Sequence, residues 1–227
     1  MKRYIAFPLI LAIFSFMLRS SVHAQENTDL MLWSGYTLTK NFASNWSVRA
    51  RQEIRFRENV SQVQKAFVDV GLRYRLNKHV RFTVHYRYNH NVRKDFDFSS
   101  RHRLNADMVL RKKWKPLVVN YRLRYQHQYR DVFTSDDGFV PRQFVRHKLQ
   151  GHLDLNKRWS PYLAGEIFHT IRDFPIMLNV QNRVRAGVAY EINRNNNVTL
   201  YYMFRTKQNI SIPSTDHIIG FRLNVFI

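Results

Sequence analysis

Strict alternation between charged and apolar residues is the feature that most constrains the fold of this chain. In the segment VRFTVHYRYNH at residues 80–90, valine, phenylalanine and tyrosine occupy one parity, while Arg81 and Arg87 occupy the other. Side chains two positions apart lie on the same face of a strand, so the segment predicts a strand with one apolar and one cationic face. Eleven segments predict strands, at residues 30–39, 46–57, 66–76, 80–90, 101–111, 117–130, 145–156, 162–172, 180–192, 198–207 and 218–227.

Charge lies on only one face of predicted strands two to eleven. That parity carries 22 cations and six acids, and the other parity of the same segments carries no Asp, Glu, Lys or Arg. Its candidate anion-binding residues are Arg49, Arg51, Arg73, Arg75, Arg81, Arg87, Arg103, Arg122, Arg124, Arg183, Arg185 and Arg205. Its acidic residues are Glu53, Asp69, Asp107, Asp154, Glu166 and Glu191. Six acids cannot neutralise 22 cations, so most of the positive charge needs water, anions or a partner.

Three features favour a bilayer as the neighbour of the apolar face. The predicted strands are long enough to cross a membrane, which takes about 9–11 residues at a tilt. Tyrosine is frequent on the apolar face, and a bilayer interface solvates its hydroxyl. Trp46, Trp114 and Trp159 each begin a strand after a short turn, which predicts an aromatic girdle at one height. A secreted soluble β-barrel that binds an acidic ligand is the alternative, because soluble β proteins also segregate charge.

The connections between the predicted strands fall into two alternating classes. The short ones repeat one theme, as in LNKHV at 76–80 and LNKRW at 155–159, whereas the long ones vary, as in DVFTSDDGFVPRQ at 131–143. Short turns at one end and long loops at the other are typical of outer-membrane barrels. The predicted fold is an all-β, transmembrane, up-and-down antiparallel barrel of about 10–12 strands within residues 25–227. Because bacterial single-chain barrels have an even number of strands, we expect ten or twelve rather than eleven.

The N-terminus has the three parts of a secretory signal peptide. MKRY is cationic, IAFPLILAIFSFML is apolar, and the small-residue site VHA ends at Ala24. The pattern predicts that residues 1–24 are removed on export, which together with the strands predicts the bacterial outer membrane as the location. A chain with 37 Lys+Arg against 16 Asp+Glu would suit a nucleic-acid partner, but export argues against one.

Several loose patterns occur along the mature chain: Trp33 in the first strand, an L-x-K turn before Trp46, an arginine-rich second strand, Glu166 in the eighth, and NRVRAGVAYEI ending at Ile192. Through these patterns the chain resembles a family of outer-membrane barrels known as domain-of-unknown-function family 2490. The resemblance covers almost all of residues 28–227. It implies a barrel and an exported location, and it implies no activity, because the function of the family is unassigned.

The arginines of the charged face have two readings in a narrow barrel. They could form a network with the six acids that fills the lumen, because small barrels fill their interiors with side chains. The surplus cations could instead serve small anions or acidic solutes, because arginine binds carboxylates and phosphates bidentately and basic rings select anions in pores. The sequence leaves both a structural or accessory barrel and an anion pore open.

A lipid-modifying barrel enzyme is the main rival function. Such an enzyme needs a serine and a histidine in hydrogen-bond reach, and no histidine in the chain has a serine two residues after it. We therefore predict that the protein is not an enzyme. The absence of cysteine and of any metal-ligand spacing predicts no cofactor or metal. The expected partner is outer-membrane lipid, and the long loops are candidate sites for a protein partner.

Overall fold

The computed structural model describes residues 27–92, 98–130, 142–155, 158–171, 177–210 and 213–227. In these ranges the chain forms eleven strands: β1 (Asn27–Asn41), β2 (Trp46–Arg57), β3 (Gln62–Arg75), β4 (Val80–Val92), β5 (Phe98–Trp114), β6 (Leu117–Arg130), β7 (Arg142–Leu153), β8 (Trp159–Ile171), β9 (Met177–Asn193), β10 (Asn196–Lys207) and β11 (Ser214–Phe226). Each predicted strand has a counterpart, so the all-β prediction is confirmed. The predicted signal peptide lies outside the described residues and stays a prediction.

The strands close into one barrel in which each strand pairs with its neighbours in the chain. All sequential pairs are antiparallel, but β1 and β11 close the barrel as a parallel pair, from Asn27 opposite Ser214 to Thr39 opposite Phe226. A barrel with an odd number of strands must contain one parallel pair, since alternating directions cannot otherwise close. The expected even number was therefore wrong for the described chain: the first segment is a wall strand.

The two ends of the barrel differ. At one end, here called the turn end, the connections contain two to five residues, and the chain also finishes there. At the other end, the loop end, the connections contain four to eleven residues. The contrast is smaller than the sequence predicted, because several strands extend beyond the predicted bounds into their connections.

Alternate side chains point outward and inward, as the pattern of charge requires. On β4, Val84 is 61% exposed while its neighbours Thr83 and His85 are 6% and 2% exposed. The outward face elsewhere is similarly apolar, with Leu104, Leu200 and Ile219 exposed. An apolar surface of this extent on a closed barrel suits contact with lipid.

The three tryptophans lie at the turn end with exposed side chains. Trp46 begins β2 and its ring lies 4.7 Å from that of Tyr74, its partner on β3. Trp159 begins β8, and its ring lies 4.6 Å from that of Tyr190, its partner on β9. Trp114 ends β5 rather than beginning a strand, because the turn contains only residues 115 and 116. The prediction that Trp114 begins a strand was therefore wrong, although Trp114 lies at the same end of the barrel as Trp46 and Trp159.

We expect the folded protein to resist SDS at room temperature and to change its mobility on a gel after boiling. A closed barrel leaves no free strand edge at which the detergent can begin to separate the strands. A sample unfolded in urea before loading serves as the boiled-state control. Identical mobility of boiled and unboiled samples of a β-rich preparation would contradict the barrel.

Candidate functional site

The inward side chains surround a cavity of about 1190 Å³. Among the described residues, its lining contains sixteen arginines, three lysines and one carboxylate, that of Glu166. On β7 the lining extends from Arg142, the first residue of the strand, to His152, its last but one. The cavity therefore follows the wall from the loop end to the turn end.

Ten of the twelve arginines selected from the sequence line this cavity: Arg49, Arg51, Arg81, Arg87, Arg103, Arg122, Arg124, Arg183, Arg185 and Arg205. The other two lie near the turn end of β3. Arg75 is exposed and donates a 2.6 Å hydrogen bond to the backbone carbonyl of Ser44. Arg73 is half-buried and is not part of the lining.

Glu53 on β2 is one of several buried acids that each hold two or more cations. Its carboxylate accepts hydrogen bonds from Arg55 at 2.8 Å and from Arg222 of β11 at 2.9 Å, and it also contacts Arg51. Three cations surround a carboxylate that is 1% exposed, and their contacts with it fix their positions.

Asp69 and Asp107 are joined through His85. The Asp69 carboxylate accepts a hydrogen bond from Arg87 at 2.8 Å and lies 2.9 Å from Nδ1 of His85. On the other side of the ring, Nε2 lies 3.8 Å from Asp107, which binds Arg124 through both carboxylate oxygens. These contacts connect β3, β4, β5 and β6 across the inner surface.

Glu166 on β8 and Asp216 on β11 complete the set of paired lumen acids in the described chain. Glu166 contacts Arg122, accepts a 2.8 Å hydrogen bond from Arg146, and lies 3.6 Å from Arg183. Asp216 accepts a 2.6 Å hydrogen bond from Arg205. Sequence reasoning missed Asp216 because the predicted last strand began at residue 218. Asp216 lies an even number of residues before Arg222, so a longer predicted strand would have placed both on the charged face.

Two of the predicted acids lie away from this network. Asp154 is exposed beyond the end of β7 and accepts a 2.8 Å hydrogen bond from Lys113. That hydrogen bond lowers the pKa of the Asp154 carboxyl. Glu191 is exposed near the turn end of β9, where its backbone N–H donates to the carbonyl of Arg158. Both acids belong to the turn end rather than to the ion pairs of the lumen.

Several lumen cations have no carboxylate within ion-pair distance among the described residues. Arg103 donates to Gln128 at 3.0 Å, and Lys148 donates to Gln150 at 2.7 Å. Arg185 contacts the sulfur of Met203, while the side chains of Lys65 and Arg81 have no hydrogen-bond partner among the described residues. The lumen therefore carries a large uncompensated positive charge.

One side of the lumen is packed with buried, mainly apolar side chains. Met31 and Trp33 of β1 form a buried cluster with Tyr201, Met203 and Ile218 of β10 and β11. Gly220 makes this packing feasible, because a Cβ there would come within 2.0 Å of the Tyr201 ring. The sequence identified Trp33 only through the family pattern, and the inward side of β1 carries Met31, Trp33, Thr37 and Thr39 where other strands carry arginine.

Aromatic rings hold several guanidinium groups in place. The Arg55 guanidinium lies 3.4 Å from the centre of the Trp33 ring, and that of Arg87 lies 3.8 Å from the Phe67 ring. Such contacts are favourable because the face of an aromatic ring attracts a cation. They occupy these aromatic faces, which are then closed to other groups.

Serine and histidine at the loop end point to tyrosines. His102 lies 2.6 Å from the Tyr86 hydroxyl and Ser100 lies 2.8 Å from the Tyr88 hydroxyl, on the outward face of the wall. Among the described residues no group of three or more histidines and acids could hold a metal ion. The described residues also include no helix of the length and apolarity needed to span a bilayer.

The fold defines the class of this protein, a closed β-barrel of the kind found in bacterial outer membranes. A solved bacterial polysaccharide outer membrane secretin is similar, with a TM-score of 0.52 and 11% identity over 81% of this chain and 64% of that chain. The translocator domain of autotransporter NalP from Neisseria meningitidis has a TM-score of 0.46 and 11% identity, over 73% of this chain and 70% of its own. This chain thus spans less than two thirds of the secretin.

Residues 30–215 match the family described as protein of unknown function DUF2490, and the chain belongs to that family. The match confirms the resemblance seen in the sequence. No curated protein matches this chain.

Proposed function

We propose that this protein is an outer-membrane barrel whose lumen takes up and passes small anions and acidic solutes. The observation that carries the proposal is the composition of the cavity lining, nineteen cations against one carboxylate over the full height of β7. Rings of basic residues in a pore attract anions and repel cations. The outer-membrane location is part of the proposal, supported by the predicted signal peptide and the apolar outward face.

The uncompensated cations lie at more than one height. Arg103 and Lys65 lie on the loop-end side of the lumen, whereas Lys148, Arg185 and Arg81 lie nearer the turn end. An anion that enters from either side therefore meets positive charge along its path. The Debye length is about 10 Å at 0.1 M salt, so anion selectivity is expected to strengthen at low ionic strength.

A structural role is the second candidate, and it is favoured by the paired arginines. The ion pairs of Asp69, Asp107, Glu166 and Asp216 tie neighbouring strands together, that of Glu53 with Arg222 joins β2 to β11 across β1, and the cluster around Trp33 fills one side of the lumen. This role accounts for the arginines that have a carboxylate. A structural role offers no reason for a cation such as Lys148, which has no carboxylate within ion-pair distance among the described residues.

We expect the purified protein to carry an anion-selective current in planar bilayers under a salt gradient. The double variant Arg103→Gln and Lys148→Gln should shift the reversal potential toward zero, because it removes two lumen charges that hold no carboxylate. The control, Lys40→Gln with Lys112→Gln, removes the same charge from exposed positions at the turn end and should leave the selectivity unchanged. A folded barrel without current would overturn the conducting function.

A further inference from the structure

Amide side chains in the lumen are paired with cations in a repeated way. The side-chain oxygen of Gln126 accepts from Arg146 at 2.9 Å, that of Gln128 accepts from Arg103, and that of Gln150 accepts from Lys148. In the described residues the amide nitrogens of these three glutamines donate no hydrogen bond. Each amide thus uses its acceptor on a neighbouring cation and keeps its two N–H donors for the cavity.

This pairing leaves a surface that is rich in donors. Guanidinium, ammonium and amide N–H groups can donate, and the side-chain oxygens of these three glutamines are already engaged with cations. A complementary ligand must carry many oxygen acceptors, both charged and neutral. Small monatomic anions satisfy the charges but not the spaced amide donors.

Along the wall formed by β5, β6 and β7, two successive charged levels have amide levels on either side. Arg122 lies opposite Lys148, and the next inward level toward the turn end places Asn120 opposite Gln150. Toward the loop end, Arg124 lies opposite Arg146, and a level with Gln126 and a level with Arg103 and Gln128 follow. Successive inward levels are about 6.6–6.8 Å apart along a strand. The lining therefore offers adjacent cationic levels with amide side chains on both sides of them.

We infer that the ligand class of this lumen is an acidic oligosaccharide, a chain of sugar units bearing carboxylates. The inference rests on the proposed function and specifies its substrate. Carboxylates bind the uncompensated guanidinium and ammonium groups, and the ring and hydroxyl oxygens between them accept from the amides. A neutral oligosaccharide lacks the charge, and two of the three phenylalanine and tryptophan rings in the described lining are covered by guanidinium groups, Trp33 by Arg55 and Phe168 by Arg146 and Arg183, which leaves only Phe144 of these three for stacking.

The test compares three probes as blockers of the current: tetragalacturonate, maltotetraose as the neutral sugar, and tripolyphosphate as a polyanion without hydroxyls. Tetragalacturonate is expected to block at a concentration at least tenfold lower than either control. Binding of the same probes to the detergent-solubilised barrel is measured by calorimetry, so that the preference is also read without any current.

The double variant Gln128→Leu and Gln150→Leu separates the two proposals. It removes neutral donors and no charge, so anion selectivity should persist while tetragalacturonate blocks and binds about tenfold more weakly. The control Gln52→Leu removes an outward amide, which bonds Tyr36 on the outer face, and should leave block unchanged. Mobility before and after boiling checks that each variant folds.

The possible outcomes distinguish failure of the acidic oligosaccharide as ligand from failure of the conducting function. Equal block and binding by tripolyphosphate and tetragalacturonate, unchanged in the amide variant, would overturn the acidic oligosaccharide and leave an anion pore. Preferential binding of tetragalacturonate by a barrel without current would support the ligand class and overturn conduction. Binding of maltotetraose as tight as that of tetragalacturonate would overturn the role of the cations in recognition.

Discussion

Glu166→Gln is expected to lower the free energy of unfolding by about 3–5 kcal/mol, as is typical when one partner of a buried ion pair is removed. Glu166 is 6% exposed and holds Arg122, Arg146 and Arg183 on three different strands. The substitution leaves the shape of the side chain but removes the charge that these guanidinium groups share. The measurement is a urea titration of the barrel refolded into lipid vesicles.

Asp154→Asn is the matched control for this loss of an acid. Asp154 is exposed at the turn end and pairs only with Lys113 among the described residues, so solvent screens the interaction and little change is expected. If both variants unfolded at the same urea concentration, the three-arginine arrangement around Glu166 would not contribute to stability.

Val84→Arg is expected to lower the free energy of unfolding by about 2–4 kcal/mol if the position lies near the middle of the bilayer. Val84 is 61% exposed on the outward face of β4, between the outward side chains of Phe82 and Tyr86. A guanidinium placed there must leave water for lipid. The same refolding titration measures the effect.

Asn120→Arg is the comparison variant on the inner wall. Asn120 lines the cavity, where a long charged side chain remains in contact with water, so a smaller loss is expected. Val84→Ile controls for the change of size at the outward position. Equal losses for the two arginine variants would mean that the outward face of β4 does not contact lipid.

The strands and their faces were predictable because the evidence for them is local. Apart from Lys112 at the turn end of β5, the strands from β2 to β10 have charge on one parity and mainly apolar residues on the other, so a single segment such as residues 80–90 already indicates both its conformation and its two faces. The family resemblance was also readable from the sequence. The bounds were less accurate, as at Trp114, because a two-residue turn left too little sequence to separate the strands.

The candidate site was predictable as a set of residues but not as a set of contacts. The alternation of charged and apolar residues selected four acids alike: Glu53, Glu166, Asp154 and Glu191. All four lie on the charged face of their predicted strands. Only height along the wall distinguishes them, since the first two meet arginines from other strands and the last two lie at the turn end. Height depends on the register between strands, and local sequence does not specify it.

By itself, the sequence determined the charged and apolar faces of the strands, the all-β fold class and the family, because these follow from side-chain types at fixed spacing. Tertiary structure decided the parallel closure of β1 with β11, the buried cluster around Trp33 and the identity of the cations without a carboxylate. Those features join residues far apart in the chain, such as Arg205 and Met31, whose contact exists only after the barrel closes. Closure and register set the distances between charges, and these distances determine which cations are paired and which remain for a ligand.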